Sequence, residues 1–188
     1  MENTVRHRIY LAGAMVFEAA PHDIYAEMKR LCEQAGLEGV APLDGDIQLA
    51  TLSKPHAARA IRCDNMRKIR ECDGVVANIT NFRGPNADDG TAWEMGYAEG
   101  LGKPVVPYST SGHPIYADLV VATQGATLRP AGDGRLFAAD GMAVEDFGLP
   151  ANLMLAAADI PVQPSFAAAL DVLVRLLGGQ TAAAPVAR

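Results

Sequence analysis

The sequence predicts an α/β fold in which a central parallel sheet is wound by helices on both faces. Three observations predict it. Short apolar runs alternate with amphipathic stretches in the order strand, helix, strand, helix, strand, helix, strand. The run Gly74-Val75-Val76-Ala77-Asn78-Ile79 is almost unbroken in its apolar character, as in strands buried on both faces of a parallel sheet. Finally, 188 residues that are 49% hydrophobic and 20% charged suit one domain with a sizeable core.

Each element has its own justification. Residues 8–11 (RIYL) read as a short buried strand closed by the small residues Ala12, Gly13 and Ala14. Residues 22–35 form an amphipathic helix, with Ile24, Met28, Leu31 and Cys32 at helical spacing, and Gly36 stops it. A second strand at 37–41 runs into the turn-rich PLDGD at 42–46. Residues 54–71 are expected to be helical, with Ile61, Met66 and Ile69 on one face, ahead of the strand at 74–79. A loop at 80–89 leads to a helix at 90–101, which Gly102 ends, and KPVVPY at 103–108 supplies the fourth strand. The alternation then breaks. Residues 109–147 read as an insertion or variable segment, with a helix-like piece at 114–122 and a hairpin-like piece at 135–144. Helices are expected at 150–158 and 165–177, and a flexible tail at 178–188, so that 1–177 form the single domain.

Bulk properties exclude several function classes. A net charge of −6 supplies no basic surplus to neutralise phosphates, which argues against nucleic acid or an anionic membrane as partner. No apolar run approaches the ~20 residues that span a bilayer, and no apolar segment follows the arginines at the start of the chain to make a secretory signal. Cys32, Cys63 and Cys72 form no CxxC pair and read as small packing residues of a reduced, cytoplasmic protein. His7, His22, His56 and His113 are scattered without helical pairing, so no metal is expected, and no cofactor either.

In a wound parallel sheet, ligands bind at the carboxyl ends of the strands, where loops enter helix N-termini. Four such loops carry unusual polar residues. In the first, Gly13 permits close backbone approach, and Tyr10 either points its hydroxyl into the crevice or simply ends a strand in the core. The second offers Asp44, Asp46 and Gln48, able to hydrogen-bond a purine or pyrimidine edge or to form an ordinary Asp-Gly turn. In the third, Asp88 or Asp89 caps the helix, and Glu94 is either a solvated acid or a buried one. Burial would raise its pKa and the helix N-terminus would lower it. A carboxylate kept ionised in a dry pocket is a candidate nucleophile or base. Gly90, Gly96 and Gly100 suggest that this helix lies close against the sheet or a ligand. In the fourth, Pro150 fits the first turn of a helix, which places Asn152 inside that turn.

Taken in order, IYLAG (9–13), FRGP (82–85), DDGTAWEMGYA (88–98) and NLM (152–154) resemble the nucleoside 2-deoxyribosyltransferases, over roughly residues 8–155. The resemblance implies a Rossmann-like (flavodoxin-like) α/β sandwich. It also implies transfer of 2-deoxyribose between nucleobases by a retaining double displacement, the logic of retaining glycosidases with a base replacing water. On this resemblance Glu94 is the nucleophile, Tyr10 positions it, and Asp88 holds sugar hydroxyls, which leaves Asp89 as the helix cap. Asn152 completes a neighbouring subunit's site in a homo-oligomer, and Asn65, Asp46, Gln48, Gly13 and Phe17 are further substrate-binding positions. The ligands are a 2′-deoxynucleoside and a free nucleobase, with purines expected to be accepted. One position departs from a well-known branch of the family, which carries an aspartate where Asn65 stands. An amide cannot donate a carboxylic proton, so Asp64 or Asp46 is left as the donor to the departing base. Relatives that hydrolyse nucleoside 5′-monophosphates carry a serine in place of Asp88, whose carboxylate would repel a phosphate at short range. A nucleoside is therefore expected as substrate. The competing functions are a nucleoside or nucleoside 5′-monophosphate N-glycosidase on the same scaffold, and a non-catalytic nucleoside or nucleotide sensor.

Overall fold

The computed structural model describes residues 6–45, 48–112, 115–125 and 127–180. Four strands, β1 (Arg8–Gly13), β2 (Glu38–Val40), β3 (Gly74–Asn78) and β4 (Val105–Tyr108), form a parallel sheet in the order β2-β1-β3-β4. Tyr10 of β1 is registered between Val40 of β2 and Val75 of β3. The winding reverses between β1 and β3, and such a switch point opens a crevice beyond the strand ends. The helices are α1 (Pro21–Gln34), α2 (Lys54–Glu71), α3 (Asp89–Gly100), α4 (Tyr116–Gln124), α5 (Leu153–Ala156) and α6 (Phe166–Gln180).

The two-residue period of the strands separates two cores. Ile9 and Leu11 of β1 pack with Tyr25, Met28 and Cys32 of α1 and with Ala169, Leu170 and Leu173 of α6. Tyr10 and Ala12 point the other way, into a core with Ile69 of α2 and Met95 and Ala98 of α3. All four β1 residues are fully buried, and each large apolar side chain so placed contributes roughly 1.5–3 kcal/mol. The parity of β1 thus aims Tyr10 at the helix that carries Glu94.

The strands and helices expected over 8–108 form, α2 with the bounds read from the sequence. Four differences have local causes. The segment after β4 contains β5 (Arg129–Pro130), β6 (Leu136–Phe137) and β7 (Ala143–Val144) in an antiparallel sheet. The sequence shows only its hairpin, because two-residue strands carry no periodicity. The helix expected at 150–158 shrinks to α5, because Asn152 is its N-cap and accepts a hydrogen bond from Met154 N, leaving Pro150 outside. α6 continues through Gln180, three residues into the expected tail, with Leu173 and Leu177 packed in the core ahead of Gly178 and Gly179. Residues 181–188 lie outside the described residues. Lastly, Cys32 and Cys72 are buried as packing residues, whereas Cys63 is exposed. Among the described residues no helix is long and apolar enough to cross a membrane.

Candidate active site

Tyr10 O–H donates to Glu94 Oε1 at 2.7 Å, joining residues 84 positions apart. Asn65 Nδ2 donates to the same oxygen at 3.3 Å, from α2. Glu94 lies in the second turn of α3 and lines a cavity of about 510 Å³ together with Gly13, Phe17, Leu43, Asp44, Ile61, Asn65, Asp88 and Gly90. It is partly buried rather than a solvated helix acid. Burial pushes its carboxyl up to about 7; the Asp88 charge adds to this, while Tyr10, Asn65 and the Lys68 charge pull against it. Burial, together with the Glu94 charge and hydrogen bond, pushes the Tyr10 phenol far above its ordinary value. The pair therefore has fixed roles, with Tyr10 the donor and Glu94 the acceptor.

The cap of α3 falls to Asp88, not to Asp89 as expected. Asp88 Oδ2 accepts from Thr91 N at 2.9 Å and Thr91 Oγ1 at 3.0 Å, while Asp89 is exposed in the first turn. The backbone of Asp88 has the extended torsions of an N-cap (φ −62°, ψ 133°), a property that two adjacent acids in a sequence do not reveal. Asp88 also lines the cavity, so one side chain both caps the helix and faces the site. The glycines of α3 are corrected too. A Cβ on Gly90 would meet Asp88 Oδ2 at 3.0 Å, but Gly96 and Gly100 face open space and mark no close approach. Gly13 does need to be glycine: its φ is 155°, and a Cβ there would meet Met15 Sδ at 2.5 Å and Asn78 Cβ at 2.9 Å.

Phe17 stands at the rim, 59% exposed, stacked on Phe82 with ring centroids 5.2 Å apart. The Arg83 guanidinium covers both rings at 5.5 and 4.7 Å from a backbone with φ 53°. The sequence reading missed this clamp, although FRGP holds the arginine, glycine and proline of a sharp turn. In the second loop, Asp44 reaches the cavity wall but is engaged by Lys29 and by Ala41 N. Gln48 is exposed and is not among the cavity residues, and Asp46 lies outside the described residues. Asp64 does not face the site as a proton donor. It pairs with Lys68 at 2.7 Å and Arg67 at 2.6 Å; burial tends to raise its pKa, but these partners hold it below the ordinary carboxylate value.

Asn152 is not brought to Glu94 within one chain. It lines a separate cavity of about 360 Å³ with Asn86, Asp89, Gly96 and Met154. Its side chain is held by Glu145, which accepts from Asn152 Nδ2 at 2.7 Å and from Leu153 N at 2.9 Å. Among the described residues no cluster of three or more His, Cys, Asp or Glu side chains could hold a metal.

A wound parallel sheet that presents a tyrosine-bound glutamate in a cavity beyond its strand ends defines an α/β domain with a partly buried acid in its crevice. Residues 9–154 match the nucleoside 2-deoxyribosyltransferase family. The chain belongs to that family. It is 32% identical over 193 aligned residues to an uncharacterised protein of Schizosaccharomyces pombe, covering 92% of this chain and 90% of that one. Its structure is similar to that of a 2-deoxyribosyltransferase from Leishmania mexicana, at 31% identity and a TM-score of 0.69, over 90% of this chain and 97% of the other. A conserved protein of Enterococcus faecalis shares the fold at 18% identity and a TM-score of 0.57, over 92% and 99% of the two chains.

Proposed function

We propose that this protein is a nucleoside 2-deoxyribosyltransferase that moves 2-deoxyribose from one nucleobase to another through an ester on Glu94. The observation that carries the reading is the 2.7 Å bond from Tyr10 to Glu94 Oε1 in a cavity of about 510 Å³, a volume in the range of small-molecule sites. Both hydrogen bonds to Glu94 fall on Oε1, so Oε2 is the oxygen that attacks. Its lone pair forms a bond to the anomeric carbon as the carbon–nitrogen bond breaks, and the departing base takes that electron pair and a proton from solvent. The incoming base then attacks from the face that the first base left, the ester bond breaks with its electron pair returning to Glu94, and the base gives its proton to solvent, so the configuration is restored. Asp88 binds sugar hydroxyls and Phe17 stacks on the base. Asn65 Oδ1, buried without a hydrogen-bond partner, accepts from the ligand. The activity class is supported by membership of a pentosyltransferase family. In a homo-oligomer, Asn152 serves a neighbouring copy's site.

A 2-fluoro-substituted deoxynucleoside tests the covalent step. Intact mass should show one fluorinated sugar per chain in the native protein and none in Glu94→Gln. Deoxyinosine and its 5′-monophosphate, assayed side by side with added adenine, test the substrate. The expected result is faster use of the nucleoside and appearance of deoxyadenosine. Faster cleavage of the monophosphate would overturn the nucleoside reading. An unchanged product profile on adding adenine would make the protein a hydrolase instead.

A further inference from the structure

Lys68 is 3% exposed, one of two buried polar or charged residues among the described ones. A buried ammonium is costly unless it is paired and hydrogen-bonded. Lys68 is both: Nζ pairs with Asp64 Oδ2 at 2.7 Å and donates to the Pro42 carbonyl at 2.7 Å. Pro42 begins the 42–45 wall of the Glu94 cavity, so this bond ties the wall to α2. Along α2, Asn65 and Lys68 are three residues apart and share a face, where neighbouring Cβ atoms lie about 5–6 Å apart. Asn65 itself touches Glu94. The ammonium is therefore one helical neighbour away from the residue that grips the carboxylate.

We propose that Lys68 is a positioning residue for the Glu94 site, a buried cation that pins the 42–45 wall and sets a positive charge behind the nucleophile. This rests on Glu94 acting as the nucleophile. The groups that face Glu94 come from every element around it. They are Tyr10 of β1, Arg62 and Asn65 of α2, Asp88 at the cap of α3, and Asp44 of the wall, which Lys29 engages, with Tyr25 of α1 interacting electrostatically from the other core. Lys68 opposes the burial and the Asp88 charge that disfavour the ionised carboxylate.

Two substitutions with opposite electrostatic effects test this. Lys68→Met removes the charge and keeps most of the chain length. Asp64→Asn keeps the ammonium and removes its counter-charge. The readouts are the pH profile of base exchange and the titration of the Glu94 carboxyl ¹³C resonance without substrate, assigned by its loss in Glu94→Gln. Lys68→Met should move the acid limb and the titration up by about one pH unit, a roughly tenfold loss of rate on the acid side that fades on the alkaline side. Asp64→Asn should move both down. Movement in the same direction, no movement, or an equal loss at every pH overturns the proposal. If Lys68→Met does not fold, the Asp64→Asn titration decides alone, and anything but a downward shift overturns it. The titration needs no turnover, so a native protein without exchange activity would fail the transferase reading and leave the Lys68 result standing.

Discussion

Glu94 is held where burial and hydrogen bonding act against each other, and burial prevails. With its carboxyl at about 7, Glu94 is a mixture of acid and carboxylate at neutral pH. On the proposed mechanism the attacking form is the carboxylate, so kcat/KM should fall with decreasing pH through an acid limb near 7, measurable with any exchanging base pair. Tyr10→Phe keeps the ring and removes the donor. A hydrogen bond to a charged group contributes about 1.5–3 kcal/mol, so the limb should move up by roughly one to two pH units, with recovery at alkaline pH. The same shift sets a stability prediction. The folded carboxyl titrates at about 7 and its ordinary value is 4.5, so between these the folded state retains a proton that the unfolded state has released. Stability therefore falls as pH rises through that window and stays lower above it. Glu94→Gln should melt higher than the native protein near pH 8, by about 3 kcal/mol of stability, with little difference near pH 4. Equal melting at both would show that Glu94 is not buried in its charged form.

At the scale of elements, the start of α3 and the end of β1 carry the site. Asp88 caps α3 through Thr91, and Asp89 interacts only with the positive end of the helix. Asp88→Ala should cost about 1 kcal/mol in a thermal or urea melt, and Asp89→Ala about half that or less. The reverse order would return the cap to Asp89. β1 ends on Gly13, where the chain turns with φ 155° between Met15 and Asn78. Gly13→Ala requires both neighbours to move and places a side chain in a strained backbone region, so a loss of about 2–3 kcal/mol is expected by the same melts. Because Gly13 lines the cavity, substrate affinity should drop with it.

For the whole molecule, Glu94 and Asn152 line different cavities, although both lie on the α3 side of the sheet. On the proposed function, Asn152 would reach the reacting sugar across a contact between two copies. The exposed side chains that share cavity walls with Asn152 fit such a contact, Met154 at 76% and Met142 at 68%. Co-expression of Glu94→Gln with Asn152→Ala chains tests it. Each variant alone should be nearly inactive, and mixed assemblies should regain up to about a quarter of native activity, since each mixed dimer rebuilds one intact site. No recovery on mixing would show that the sites are not shared.

Much of this architecture is legible in the chain because it depends on short-range pattern. The alternation of short apolar runs with amphipathic stretches and the apolar run at 74–79 predict the parallel sheet, helical spacing gives α2 to its bounds, and Asp88 stands six positions before Glu94. The tertiary structure decided which groups meet. The sequence left open which way Tyr10 points; the parity of β1 between two helix layers settled it. Adjacent Asp88 and Asp89 look alike until the backbone torsions choose the cap. Asn65 and Glu94 are 29 residues apart and Lys68 and Pro42 are 26 apart, so neither contact leaves a local signature. Local pattern specifies elements because each residue's neighbours along the chain are known from sequence; partners across the fold exist only once those elements have packed.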